Sequence, residues 1–277
     1  MPADTSGSRW STKMHASKTI TATVVVAAVL VLLSSSPAEA VAGKYAFFPQ
    51  DFLRGSSFVV VKGRRAPPLG PFRLIRYAQA FALNNEQEEI AASRGWLLRS
   101  CSGAVVHHGD NAILNFRKPT ALSWRASVIA SHVNSGPYYG TYLDTLRVWW
   151  PYGYYDRAPC RLTHSQAFRA SLALVKMVKA RTGGKYLIEN GRGIGDTLSY
   201  QEHPWQVHTL EILADGVQIE QFMLRPENLD LYVAEMKRLG RWGLTTFAKC
   251  KNSPRLCRRA FELGLNGDAY MTVMPRA

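Results

Sequence analysis

Several apolar stretches of this 277-residue chain end on polar side chains: Gln79, Asn115, Asp144, Glu189 beside Asn190, and Glu220. A carboxylate at the mouth of an apolar strand is costly to bury unless it is paired or used. Asp144 and Glu220 supply the two acids that cleavage of a glycosidic bond needs. One acid protonates the leaving oxygen. The other attacks the anomeric carbon at a separation of about 5 Å, or activates water at about 6.5–9.5 Å. An aromatic cluster, Trp149, Trp150, Tyr152, Tyr154 and Tyr155, follows Asp144 closely. Flat rings beside an acid suit the apolar faces of sugar rings, and Tyr138, Tyr139 and Trp205 extend the same expected wall.

The elements that must position these groups alternate between two periods. Strand-like apolar runs occupy 57–62, 73–79, 111–116, 140–144, 185–190, 216–222 and 243–248, with an eighth at 46–48 or 269–273. Helix-like segments lie at 120–132, 165–182 and 226–239; in the second, Phe168, Leu172, Val175 and Val178 recur near helical spacing. Strands alternating with helices imply a parallel sheet. About eight strands suit a single α/β domain, a (β/α)8 TIM-type barrel, whose usual length is about 250 residues. A doubly wound open sheet is the alternative. Residues 96–100 and 104–107, split by Cys101-Ser-Gly103, read as a small hairpin inserted in a strand-to-helix loop. A barrel places its chemistry at the C-terminal ends of its strands, where the polar residues fall.

Residues 1–40 read as an address. Arg9, Lys13 and Lys18 precede the apolar run 19–33, and Ala38-Glu39-Ala40 offers a small-x-small exit. This is the pattern of a cleaved signal peptide. A spanning helix needs about 20 apolar residues, so an uncleaved anchor is the weaker reading. We expect cleavage after Ala40, no membrane span afterwards, and a secreted domain over 41–277, outside the cell or in its envelope. An oxidising compartment makes Cys101, Cys160, Cys250 and Cys257 two disulfides. Three pairings exist; the short loop between Cys250 and Cys257 favours 250–257 with 101–160.

The order N-x-x-x-P, W, G-x-x-x-D, W, then a strand ending Glu-Asn-Gly, then A-D-G-x-x-x-E-x-F, is carried by Asn115, Pro119, Trp124, Gly140 to Asp144, Trp149, Glu189 to Gly191, and Ala214 through Glu220 to Phe222. It resembles the glycoside hydrolase-like TIM-barrel proteins, including the glycosyl hydrolase-like family 15 group and, more distantly, the endo-α-galactosaminidase-like barrels. The resemblance covers about residues 73–250. It implies a TIM barrel with Asp144 and Glu220 at the acid positions. Two departures stand out: Asn115 replaces a common aspartate, and Tyr139 stands where an acid would precede Gly140.

On this reading the chain is a secreted glycoside hydrolase acting on a polysaccharide or oligosaccharide. Glu220 would be general acid/base, and Asp144 nucleophile or base for water. Glu189 or Asn190 would hydrogen-bond a sugar hydroxyl, Tyr77 and Gln79 would line the floor, Asn115 would stand at a further strand end, and Trp149 and Trp150 would stack on the ring. Asp215, which precedes its strand, is assigned to structure. The competing reading is an inactive secreted barrel that binds carbohydrate or an anionic cell-surface polymer.

Other signals are demoted. Gly191-Arg-Gly-Ile-Gly195 has the wrong spacing for a dinucleotide loop, and no cofactor is expected. His107 and His108 are adjacent and would point to opposite sides of a strand, while His203 and His208 fit no metal helix; no metal is expected. No G-x-S-x-G elbow exists. With 47% hydrophobic and 19% charged residues, the composition excludes a disordered chain. The net charge of +14 is expected either to be scattered or to draw polyanions, through Arg64, Arg65 or the group Lys249, Lys251, Arg255, Arg258 and Arg259. No specific nucleic acid is expected, and the domain reads as a monomer.

Overall fold

The computed structural model of the chain describes residues 43–47, 56–62, 72–146, 155–192, 213–222, 234, 237–241, 243–251 and 269–274. All lie in the unit 40–277. The expected leader falls outside them, as do Arg64, Arg65, Trp149, Trp150, Trp205, Arg255, Cys257, Arg258 and Arg259. So do the side chains of Glu220, Lys249, Cys250 and Lys251.

The chain runs β1 (Gly43–Phe47), β2 (Ser56–Val61), β3 (Arg73–Gln79), α1 (Asn85–Ser93), β4 (His107–His108), β5 (Asn111–Ala112), α2 (Pro119–Asn134), β6 (Gly140–Asp144), α3 (His164–Arg181), β7 (Tyr186–Arg192), β8 (Gly216–Phe222), β9 (Thr245–Lys251) and β10 (Ala269–Met274). Eight strands form one curled parallel sheet in the order β1-β10-β9-β8-β7-β6-β3-β2, and β1 pairs with both β10 and β2, which closes the ring. The sequence offers residues 46–48 and 269–273 as alternatives for one strand; both regions supply strands.

Period-two alternation sorts the side chains into two layers. Phe58, Val60, Ile75, Tyr142, Ile188 and Phe247 form one cluster inside the ring. Val59, Val61, Leu74, Leu143 and Leu187 point the other way, into a cluster shared with the helices. From α3 this layer receives Ala167, Phe168, Leu174, Val175 and Val178, and from α2 Leu122, Ala126, Ile129 and Val133. These positions recur at three- and four-residue spacing, as a helix laid on a sheet requires. Pro119 starts α2, where its missing N–H costs nothing. Thr163 and Gln166 cap α3 reciprocally. Gly140 opens β6 because a Cβ there would fall on the Tyr186 carbonyl of the paired strand β7.

The expected strand 111–116 is corrected. Only Asn111 and Ala112 form a strand, antiparallel to His107 and His108, while β3 pairs directly with β6. Ile113 and Leu114 then make isolated bridges to Ala82 and Leu97. Both are fully buried, in different clusters: Ile113 joins the helix-facing layer, and Leu114 joins Leu83, Ala91, Leu97, Ala112 and Ala121. A run that is apolar on both faces looks the same in a parallel barrel and in a small module buried on both sides. The inserted hairpin itself is present: Arg99 bridges Val105, and the Val106 N–H donates to the Leu98 carbonyl.

Cys101 at the hairpin tip is bonded to Cys160. Around it, the Cys160 N–H donates to the Arg99 carbonyl, Ser100 bridges Pro159, and Arg117 donates to the Cys160 carbonyl at 2.9 Å. The bond therefore ties the insert to the segment that follows β6. Replacing both cysteines by serine is expected to lower unfolding stability by about 2–4 kcal/mol. Urea denaturation of the two proteins measures it; a loss below about 0.5 kcal/mol would mean that the surrounding hydrogen bonds hold the insert alone.

Candidate functional site

Four neighbouring strands bring polar side chains together: Gln79 and Asp144 end β3 and β6, Asn190 lies towards the end of β7, and Gln218 is the third residue of β8. Gln79 on β3 lies in register with Asp144 on β6, and Asn190 on β7 lies in register with Gln218 on β8. The half-buried Asp144 carboxylate is the hub. Its Oδ2 accepts from the Tyr77 hydroxyl at 2.5 Å. Its Oδ1 accepts from Asn190 Nδ2 at 2.7 Å and from the Thr145 backbone N–H at 2.8 Å. Gln218 Nε2 donates in turn to Asn190 Oδ1 at 3.4 Å. Asn190 is 4% exposed and Gln218 fully buried, so the chain Gln218–Asn190–Asp144–Tyr77 is set into the ring rather than laid on its rim.

The surroundings hold these groups in place. The Tyr77 ring stacks on Tyr142, with centroids 5.7 Å apart and planes 18° from parallel, and Lys62 Nζ lies 5.4 Å from the Tyr77 centroid. Thr145 adopts φ +55°, which is costly for a β-branched residue. That turn sends its N–H back onto the preceding carboxylate.

On the helix side, the guanidinium of Arg125 sits beneath the exit of β3, only 3% exposed. It donates to the carbonyls of Gln79, Ala80 and Ala82, and to Gln87 Oε1. Burial pushes its pKa down to about 10. Ala80 also donates its N–H to the Asp144 carbonyl at 2.6 Å, so the clamp on β3 reaches the hub residue's backbone.

The expected site residues divide accordingly. Tyr77, Asp144 and Asn190 come together, with Gln79 beside them in register. Glu189 is fully buried and lies on the other side of β7 from Asn190, with Leu143 and Val217 as its register partners. Only its neighbour is drawn into the Asp144 network, because adjacent strand residues face opposite ways. Asn115 is corrected: it belongs to the insert, not to a barrel strand, where its N–H donates to the Trp96 carbonyl and its side chain accepts from Arg117. Tyr138 and Tyr139 are also corrected. They precede β6 and therefore stand at the strand-start end, opposite Asp144. Of the aromatic cluster, Tyr155 is described; it packs against the helix-facing core, and burial raises the pKa of its phenol. Asp215 braces the strand-start end: its Oδ2 accepts from Lys179 Nζ at 2.5 Å and from the Leu187 N–H at 2.8 Å.

Sequence reasoning missed Gln218, Tyr142 and Thr145. For Tyr142 the signal was parity, since it stands two residues before Asp144 on β6 and so shares its face. Nothing in the sequence marks the handedness at Thr145. Among the described residues no group of three histidine, cysteine or acidic side chains could hold a metal ion. A hollow of about 1220 Å³ runs from Lys62, Tyr77 and Gln79 past Arg125 to His132. Neither Asp144 nor Asn190 lines it, so the hydrogen-bonded network and not the hollow defines the candidate site.

No family model and no curated protein matches the sequence. Solved structures do match the fold. The glycoside hydrolase domain of PelA from Pseudomonas aeruginosa superposes with a TM-score of 0.54 at 14% identity, covering 84% of this chain and 95% of that one. A single-residue variant of the same PelA domain gives 0.54 at 13% identity, covering 85% and 95%. An α-amylase from Lactobacillus plantarum gives 0.49 at 8% identity, covering 73% of this chain and 50% of that one. The chain shares its fold with that PelA domain, an α/β fold built on a curled parallel sheet.

Proposed function

We propose that the chain is an exported (β/α)8 glycoside hydrolase-like barrel, cleaved after Ala40, which hydrolyses a polysaccharide at the strand-end mouth with Asp144 and Glu220. The observation that carries the reading is the Asp144 hub, three donors converging on one carboxylate at the end of β6. The fold shared with the PelA glycoside hydrolase domain adds support. A carboxylate that already accepts three hydrogen bonds is arranged as an acceptor. That suits the acid that attacks the anomeric carbon or takes a proton from water, and leaves proton donation to Glu220 on β8. Asn190 and Tyr77 then fix both carboxylate oxygens, and Gln218 fixes the Asn190 amide. Trp149 and Trp150 stack on the sugar.

The test is reducing-sugar release from a panel of neutral, acidic and cationic polysaccharides. It uses oxidatively expressed 41–277 beside the Glu220→Gln protein. Release by the parent and not by the variant is the expected result. Binding of a panel polymer without release from it would make the chain a non-catalytic carbohydrate-binding barrel. Equal release by both proteins would remove Glu220 from the chemistry.

A further inference from the structure

The strand-start end of the barrel, opposite Asp144, carries groups that the proposed reaction does not use. Arg73 opens β3 and is exposed. Its guanidinium carbon lies 4.8 Å from the Tyr139 ring centroid and 5.3 Å from that of Phe58. Among the described residues these ring contacts are its only side-chain interactions, and no side-chain N–H of Arg73 has an acceptor there. Tyr139 is 42% exposed, one of two large hydrophobic residues so exposed among those described, and its hydroxyl takes no protein partner there. Its ring also packs 5.4 Å from Tyr186, which in turn rests on Phe58.

Beside these rings is a hollow of about 460 Å³ lined by Tyr138, Tyr139, Gly183, Gly184, Lys185, Tyr186 and Asp215. Both described bonds to the Asp215 carboxylate land on Oδ2, which leaves Oδ1 of this half-exposed side chain without a protein donor among the described residues.

A stacked guanidinium is pre-organised. Its planar fork matches a carboxylate with two parallel hydrogen bonds, which a lysine cannot reproduce. An aromatic edge and an unengaged carboxylate oxygen beside it suit the apolar face and the hydroxyls of a sugar. Arg73 stands outside the lining of the hollow, stacked on Tyr139, which does line it. We propose that the hollow and this neighbouring guanidinium together form a second carbohydrate site that binds a uronic-acid residue of an acidic polysaccharide. Arg73 holds the sugar carboxylate, Tyr139 and Tyr186 form the wall, and Asp215 accepts a sugar hydroxyl. The carboxylate of Asp215 is neutralised by Lys179, so it does not repel the ligand. The excess of 34 basic over 20 acidic residues favours such a chain at long range. The proposal does not depend on hydrolysis at the other end.

The probe is polygalacturonate, with neutral dextran and single-stranded DNA as comparisons, and the folded protein's affinity is read by calorimetry at two salt concentrations. Polygalacturonate is expected to bind, and dextran and DNA to bind at least about tenfold more weakly. Arg73→Lys and Tyr139→Ala should each weaken uronate binding by about tenfold with an unchanged thermal midpoint, consistent with the loss of one bidentate or stacking contact. Asp144→Asn should bind as the parent does. Equal affinity for DNA would reduce the patch to a general polyanion surface and overturn the proposal. So would parental affinity in Arg73→Lys, or loss of binding in Asp144→Asn, which would place the uronate at the mouth.

Discussion

Replacing Asp144 by asparagine is expected to lower sugar release by roughly 10²–10⁴-fold while leaving the fold intact. The substitution is nearly isosteric, and its consequences are specific. The Tyr77 hydroxyl and the Asn190 amide both donate to the carboxylate, one to each oxygen. An asparagine amide keeps one acceptor oxygen and turns an NH2 towards the other donor. The amide oxygen can keep the Asn190 and Thr145 donors while the NH2 donates to the Tyr77 hydroxyl, so one bond reverses direction and what is lost is the negative charge that would attack or accept a proton. The thermal midpoint separates the two effects. A midpoint within a few degrees of the parent, with release gone, places Asp144 in the chemistry. Full release by the variant would reduce the hub to a structural knot. A collapse in stability would show that the network holds the strand ends together, and the Tyr77→Phe protein, which keeps the charge, would then decide.

The second large effect lies behind the site. Arg125→Met is expected to destabilise the protein by about 3 kcal/mol. The guanidinium, itself only 3% exposed, serves three main-chain carbonyls and one amide oxygen. Losing it takes a donor from each of the three carbonyls, at about 1–3 kcal/mol for each one left buried and unpaired, while Gln87 Oε1 keeps the Asn84 N–H of the capping box. Part of that is offset, because burying a cation is itself unfavourable. Arg125→Lys should recover less than half, since a compact ammonium cannot reach acceptors spread over Gln79, Ala80, Ala82 and Gln87. Urea unfolding of the three proteins measures this; a loss below about 1 kcal/mol for Arg125→Met would mean that the carbonyls find other donors. Because Ala80 also holds the Asp144 main chain, the same variant should loosen the hub.

The parts of the fold that could be read from the sequence are those where period and burial agree. Residues 73–79, 140–144 and 216–222 carry alternating or continuous apolar patterns between clear breaks, and their strands fall at those bounds. Helix α3 shows its apolar stripe and a Thr-x-x-Gln cap. Helix α1 was missed because six of its nine residues are polar and its three apolar ones, Ile90, Ala91 and Ala92, are adjacent and form no stripe; only Ala91 is buried. Its signal was the Asn84–Gln87 capping box, not a stripe. The run 111–116 misled for the opposite reason, being apolar on both faces. At the site, Asp144 and Asn190 were legible as strand-end polar groups, and Tyr77 as a residue of the floor. The Glu189–Asn190 alternative needed the sheet's parity to resolve. Tyr139 was assigned to the wrong end, because sequence distance from Asp144 does not say on which side of a strand a residue lies.

The ring of strands has a seam. Strand β1 meets β10 through two register pairs, Gly43 with Tyr270 and Lys44 with Met271, whereas β9 and β10 share six. Joining the seam brings together residues more than 220 positions apart, and contacts that distant form late because the intervening chain must first be confined. The Cys101–Cys160 ring, by contrast, encloses 59 positions and contains α2 and β6. Order during folding should therefore spread outward from the middle of the chain. A nascent or partly extruded chain would hold its central strands while both terminal strands still present open edges, each a template for pairing with another copy. The interval before the seam closes is when this protein is most exposed to aggregation, and its length is set by how soon the last residues of the chain become available.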